Sequence, residues 1–219
     1  MIASLDTNAI IHFYRVGLQN ILFEIFEDGV IIYEQIRKIE LENHGMDILE
    51  LVDADIASGK IQMFTMEKLR KLSVHRIFEK YVSDNKLIFK PGDMGEVYAI
   101  SLAQTMGIYS LVTDDIKQGG PYMSLLQFND EIMPFTFADV LILRFLFGYA
   151  DAKQTIEDFD LINDKSELKW TFKSQIKKFI KRFWNEPYRS EDCKWIDKIV
   201  SKMNISVKAK FRELQALIK

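Results

Sequence analysis

The sequence predicts an α/β fold: a central parallel sheet flanked by helices, followed by an α-helical C-terminal extension. Three observations predict it. Short β-rich runs alternate with helical stretches over the first 150 residues, the pattern of strand–helix–strand units. Two of those runs end directly on aspartates. From Ser166 onward the apolar residues recur at helical spacing only. The domains read from this are residues 1–150, the α/β domain, and residues 151–219, a basic helical extension. The 219 residues are enough for that arrangement, and 48% hydrophobic against 28% charged residues is an ordinary globular balance that excludes a fully disordered chain.

The elements follow in order. Residues 1–5 form an apolar run that stops at Asp6. Val30, Ile31, Ile32 and Tyr33 form a second run, rich in β-branched side chains, and residues 61–65 a third. Residues 110–113 form a fourth, stopping at Asp114, and residues 132–136 a fifth. Helical patterns lie between them at 9–27, 34–41, 48–57, 67–82, 93–106 and 137–149. Residues 151–165 are acidic and read as a connection. Beyond them Trp170, Ile176, Phe179, Ile180, Phe183 and Trp184 mark one amphipathic helix, ended at Asn185-Glu186-Pro187. Two more are expected, at about 191–203 and from about 207 to the end.

Several function classes are excluded or disfavoured. Cys193 is the single cysteine, so neither an intramolecular disulfide nor a multi-cysteine zinc site can form, and a reducing compartment is expected. Residues 137–150 are the most apolar stretch, but Asp139 and Arg144 interrupt it and it is too short to span a bilayer. The first residues lack a basic segment of the kind that opens a secretory signal, and a cytoplasmic location is expected. No glycine-rich phosphate loop follows the first strand. A haloacid-dehalogenase-type phosphatase needs an aspartate where Asn8 stands. His12, His44 and His75 show no ligand or triad spacing, and His12 reads as a surface or interface residue rather than a general base.

The acidic residues are the candidates for chemistry. In open α/β sheets ligands bind outside the carboxyl ends of the strands, so Asp6, Asp114 and Asp115 converge if their strands are neighbours. Glu96 opens a helix, and Glu40 lies in the helix after the second strand. Carboxylates gathered without a cationic partner repel one another and stay ionised together only around a divalent cation. An all-oxygen donor set suits Mg²⁺ or Mn²⁺ rather than Zn²⁺. Each acid also has a purely structural role open to it. Asp6 is placed to cap a helix, Glu96 stands three residues after Asp93 as in a capping box, Asp114-Asp115 can open a loop, and Glu40 can belong to a solvated helix face.

Three segments together carry a resemblance. Leu5-Asp6-Thr7-Asn8-Ala9-Ile10-Ile11 resembles the opening of PIN-domain nucleases, Gly95-Glu96-Val97-Tyr98-Ala99-Ile100-Ser101-Leu102-Ala103 resembles their central glutamate helix, and Leu111-Val112-Thr113-Asp114-Asp115 resembles their late aspartate motif. Order and spacing agree over roughly residues 1–147. The resemblance implies a parallel sheet flanked by helices, an acidic pocket binding Mg²⁺ or Mn²⁺, and hydrolysis of phosphodiester bonds, usually in RNA. It implies that Asp6, Glu96 and Asp114 hold the metal. The family's second acid follows the second strand; Glu40 takes that place here, with Glu34 and Glu42 nearby. Asp115 and Glu40 assist. Many bacterial members are toxins paired with antitoxins. The sequence departs from the family at Gln118-Gly119-Gly120-Pro121, a turn where a helix is usual, in residues 122–129, and in the last 70 residues. Asp139, at the start of the helix after the fifth strand, either supports the metal or caps that helix.

Charge is unevenly distributed. Residues 1–164 carry 14 Lys and Arg against 26 Asp and Glu, a net −12, whereas residues 165–219 carry 15 against 6, a net +9. In the basic part Lys173, Lys177, Lys178, Lys181, Arg182 and Arg189 interleave with Trp170, Phe172, Phe179, Phe183, Trp184 and Tyr188. That pattern suits neutralisation of an RNA backbone with base stacking, or aromatics packed inward under solvated lysines. The expected function is metal-dependent cleavage of RNA. Its alternatives are a catalytically silent RNA- or protein-binding module of the same fold and a structure-specific DNA nuclease. The expected partners are an RNA substrate, an antitoxin protein and a second copy of the chain, with no membrane.

Overall fold

In a computed structural model of the chain, residues 1–89, 94–117, 120–128, 131–185, 187, 189–202 and 206–217 are described. Two compact units are present, Met1–Phe137 and Ala138–Lys219. The expected boundary at residue 150 therefore falls inside the second unit. Asp93, the expected capping partner of Glu96, lies outside the described residues, as do Gln118 and Gly119 of the expected turn, Glu186 of the helix-ending Asn185-Glu186-Pro187, Tyr188 of the aromatic series and Met203 at the end of the second C-terminal helix.

The first unit is built on a five-stranded sheet with the order β3-β2-β1-β4-β5. Its strands are β1 (Ile2–Leu5), β2 (Gly29–Tyr33), β3 (Ile61–Phe64), β4 (Ser110–Val112) and β5 (Met133–Phe135), and every pairing is parallel. Each coincides with one of the five apolar runs. Strands buried on both faces read as continuous rather than alternating hydrophobic runs, and that is why short segments such as Val30-Ile31-Ile32 are legible as strands. The order reverses at β1. From it the chain winds outward to β2 and β3, then returns to its other side for β4 and β5. The crevice between the carboxyl ends of β1 and β4 is the topological switch point.

Helices α1 (Thr7–Arg15) and α2 (Asn20–Ile25) replace the single stretch expected at 9–27. Gly17, with φ +72°, breaks it. The Leu18 N–H donates to the Phe13 carbonyl (2.9 Å) and the Gly17 N–H to that of Tyr14 (3.1 Å), closing a left-handed C-terminal cap. The 67–82 stretch divides in the same way into α5 (Met66–Lys71) and α6 (His75–Asn85), but here Ser73 takes the left-handed conformation, φ +61°. Glycine announces such a break, whereas serine does not. After β2 comes a π-helical turn, Ile36–Glu40, and the short α3 (Leu41–His44); α4 (Leu49–Ala57) leads into β3.

Helix α7 (Met94–Met106) lies closest to the sheet centre. Gly95, Ala99 and Ala103 recur every four residues and are buried, so this face carries little side-chain bulk. The close approach is pinned where the buried Ser4 hydroxyl of β1 donates to the Ala99 carbonyl (2.9 Å). Because α7 leads into β4, its N-terminal end, with Glu96, lies at the carboxyl edge of the sheet. Helix α8 (Pro121–Phe128) occupies the stretch without a family counterpart.

The second unit is helical. Most of α9 (Phe137–Leu146) belongs to it, with α10 (Ala152–Lys165), α11 (Phe172–Ile180), a π-helical turn (Lys181–Asn185), α12 (Ser190–Lys202) and α13 (Val207–Ala216). Helix α10 occupies the stretch expected to be a connection. Asp151 caps it, accepting from the Gln154 N–H (2.8 Å), and its buried face is largely polar: Thr155, Asp158 and Asn163 beside Phe159 and Ile162. Asp158 is paired with Arg144 (2.9 Å). A buried face built from paired polar groups hides a helix from hydrophobic periodicity. Among the described residues no helix is long and apolar enough to cross a membrane.

Arg182 and Arg189, grouped by sequence with the exposed lysines, turn inward instead. They are 2% and 7% exposed, and both bind the fully buried Asp192, Arg182 through Nε (2.9 Å) and Arg189 through Nη2 (2.9 Å). Removing one partner of a buried ionic group leaves uncompensated charge, which costs about 3–5 kcal/mol. Asp192→Asn is expected to lose stability on that scale in urea denaturation; a loss below about 1 kcal/mol would show that water solvates the two guanidiniums.

Candidate active site

Asp6 ends the central strand. Its own N–H continues the ladder to the Val112 carbonyl (3.0 Å), and its extended backbone (φ −84°, ψ 159°) makes it the N-cap of α1. One carboxylate oxygen accepts from the Thr7 N–H (2.6 Å) and the other from the Thr113 hydroxyl (3.1 Å). Asp6 is 1% exposed. Burial holds its carboxyl well above the usual carboxylate range. The nearby charge of Glu96 pushes it further, the Thr7 and Thr113 hydrogen bonds oppose the rise, and Asp114 adds to it. Capping and electrostatic strain therefore coexist in one residue.

Glu96, in the first turn of α7, is half-buried and reaches Asp6 electrostatically. Glu40 is brought to the same place. A Cβ on Gly95 would lie 3.2 Å from the Thr7 hydroxyl oxygen and 3.4 Å from Glu40 Cγ, so glycine is what lets α7 start this close to both. The π-helical turn that ends at Glu40 inserts an extra residue into the winding, a feature frequent at functional sites. The other two glutamates near β2 are engaged elsewhere. Glu34 accepts from the Met66 N–H (2.8 Å) and Lys38 Nζ (2.5 Å), and Glu42 pairs with Arg37 (2.6 Å).

Asp114 stands beyond β4 across the switch point, its side chain 1% exposed. Its Oδ1 accepts from the Phe137 N–H (2.7 Å), and Oδ2 faces His12 Nδ1 (2.7 Å). His12 is thus a site residue, not the surface or interface position that sequence spacing suggests. It lies in α1, far from Asp114 in sequence, so no local spacing could reveal the pair. Asp115 turns into its own loop: Oδ1 accepts from the Lys117 N–H (3.1 Å), its carbonyl from the Tyr122 N–H (3.3 Å), and it packs where a Cβ on Gly120 would be 2.7 Å away. Asp139 belongs to the second unit, where Arg182 Nη1 stands 3.8 Å from it.

The oxygen of Thr7 is the one buried hydroxyl beside these acids without a hydrogen-bond partner among the described residues. Asp6, Glu96, Glu40 and Thr7 offer oxygen donors only, the type that a hard divalent cation prefers. Among the described residues no three His, Cys, Asp or Glu side chains are drawn together as a ready metal site; carboxylates without a cation between them repel.

No family model, curated protein or solved structure matches this chain.

In the second unit the aromatics of the basic stretch pack on one another and on neighbouring helices: Phe179 on Phe183 (ring centroids 4.5 Å) and Trp184 on Phe211 (4.7 Å). Lys173, Lys177, Lys178 and Lys181 remain exposed, with 173 and 177 one turn apart on α11 and 181 opening the π-helical turn that follows.

The raised Asp6 carboxyl has a consequence for stability. A folded-state pKa above the unfolded one contributes stability below the unfolded pKa, and this is lost as pH rises through the folded value. Asp6→Asn keeps the helix cap and removes the charge. In metal-free buffer the wild-type melting temperature is expected to fall, relative to the Asn variant, as pH rises from about 4 toward 8. Parallel curves would show that Asp6 is not held protonated by its surroundings.

Proposed function

We propose that this chain is a divalent-metal-dependent endoribonuclease of the PIN type, hydrolysing RNA phosphodiester bonds in the cytoplasm. The observation that carries the reading is the buried carboxylate at the switch point: Asp6 is raised by burial and by two acids, Glu96 and Asp114, contributed by other elements. A fold gains nothing from concentrating such repulsion unless a cation relieves it. The three acids would hold Mg²⁺ or Mn²⁺, with Glu40 and Thr7 beside them. Asp114 Oδ1 accepts the Phe137 N–H and Oδ2 faces His12 Nδ1, one partner each, which leaves further lone pairs on the carboxylate. A cation held there supplies Lewis acidity toward the phosphodiester.

The residues of the chain do the rest. Thr7 N–H and Thr113 hold Asp6 in one rotamer, Phe137 N–H and His12 hold Asp114, and Gly95 admits Glu96 and Glu40 to the same crevice. Preorganised groups of this kind need no rearrangement when substrate arrives. A toxin role with an antitoxin partner rests on the resemblance alone, and a homodimer is a proposal without a structural observation behind it.

The test is cleavage of a mixed RNA pool with Mn²⁺, with EDTA, and by Asp114→Asn. EDTA is expected to abolish cleavage, and the variant to lose about 10²-fold or more, equivalent to about 2.7 kcal/mol of transition-state stabilisation. Calorimetry should show Mn²⁺ binding that weakens in Asp6→Asn. Cleavage that survives both EDTA and Asp114→Asn would sink the proposal. The engagement of both Asp114 oxygens favours one rival, a silent binding module, which predicts RNA binding with no cleavage of RNA or DNA by the wild type.

RNA affinity is assigned to the exposed lysines of α11. Each phosphate that a lysine neutralises releases condensed counterions. Replacing Lys173, Lys177, Lys178 and Lys181 with Gln should therefore flatten the salt dependence of RNA binding, by up to about 0.7 for each phosphate of a single strand that is no longer neutralised. An unchanged slope would make these lysines a solvated face only.

A further inference from the structure

The acid cluster leaves one requirement of hydrolysis unassigned: a group that orients the water attacking the phosphorus. The pair formed by His12 and Asp114 has the construction for it. Asp114 is almost fully buried and held at Oδ1 by the Phe137 N–H (2.7 Å). Across the 2.7 Å contact a carboxylate oxygen of Asp114 is offered to Nδ1, so a neutral His12 in this pair carries its proton on Nδ1. In a neutral imidazole with its proton on Nδ1, Nε2 is a lone-pair acceptor.

The ring is also fixed in orientation. It stands edge-on to Phe137, with centroids 6.2 Å apart at 81°, and the His12 side chain is 11% exposed. Nε2 has no hydrogen-bond partner among the described residues, nor is it a buried orphan, so it is open to solvent. An imidazole aimed by a buried carboxylate whose charge reaches Asp6, with its outer nitrogen open, is an oriented acceptor. An acceptor nitrogen repels phosphate oxygens and selects an O–H donor.

We propose that His12 is a water-positioning residue: Asp114 presents its Nε2 to accept a hydrogen bond from the water that attacks the scissile phosphodiester. This rests on the hydrolase reading above. It assigns to α1 a role that lies apart from the metal-binding acids.

Two variants separate this role from a structural one. His12→Asn places an amide N–H near the position of Nδ1, so it keeps the bond to Asp114 but lacks the outer acceptor. His12→Ala lacks both. If Nε2 orients the water, kcat falls by about 10²-fold in both variants, the scale of a misplaced reactant, with KM changed less than about twofold. The Asn variant keeps the wild-type melting temperature and Mn²⁺ affinity. Wild-type kcat in His12→Asn would overturn the role and leave His12 as a strut for Asp114. A loss confined to substrates with a 2′-hydroxyl at the scissile nucleotide would also overturn it, because the ribose would then be the donor.

A second measurement needs no activity. In nitrogen-15 spectra of the histidine rings, taken on the metal-free wild-type protein, His12 should carry its proton on Nδ1; a proton on Nε2 overturns the proposal. Absence of cleavage by the wild type on any RNA would sink the nuclease reading and this role together, whereas undiminished cleavage by His12→Asn sinks this role alone.

Discussion

The buried carboxylate of Asp6 is the constraint around which the first unit is organised. Ending the central strand with an acid that is 1% exposed is costly, since desolvation penalises the charged form. The surroundings offset part of that cost with the Thr7 N–H and the Thr113 hydroxyl, and then add to it with Glu96 and Asp114. Nothing in the packing of β1 demands an acid there. The strand pairs with β2 through Ser4 and with β4 through Leu5, and Asp6 follows it directly, where Asn or Ser would cap α1 as well. The buried charge is a cost to the fold itself, and this is the ground for the proposal that Asp6 is more than a helix cap.

Two close approaches place the other acids. The small face of α7 lets that helix settle on β1, where Ser4 bonds to the Ala99 carbonyl, and Gly95 at its start admits Glu40 and Thr7 to within a distance that a methyl group would crowd. Across the switch point, Asp114 is held from two separate elements, by Nδ1 of His12 in α1 and by the Phe137 N–H at the start of α9. The acids thus come from the end of β1, the turn after β2, α7 and the end of β4.

The second unit handles charge in a different way. Arg182 and Arg189 are paired internally with Asp192 and Arg144 with Asp158, and the aromatics of the basic stretch pack on one another. Lys173, Lys177, Lys178 and Lys181 face solvent. Lysine is the more strongly hydrated and flexible cation, suited to phosphate contacts that vary in position, whereas planar guanidiniums suit fixed buried pairing. The division of labour between the two residue types follows those properties.

The sequence by itself determined the five strands, their parallel α/β class, and the placing of Asp6 and Asp114 at strand ends, because continuous β-branched runs and the residues that stop them are local features. The break at Gly17 inside the stretch expected to be one helix came only with the structure, although its left-handed conformation is one that glycine adopts cheaply. Nor did the sequence determine the equivalent break at Ser73, or α10, whose buried face relies on Asp158 paired with Arg144 rather than on apolar periodicity. Glu40 could not be separated from Glu34 and Glu42 by pattern; only the approach of Gly95, and the ion pairs that occupy the other two, distinguish them. His12 was out of reach for the same reason that it matters. Its partner lies 102 residues away, and their meeting depends on β1 and β4 being neighbours in the sheet, a fact that exists only in the folded chain.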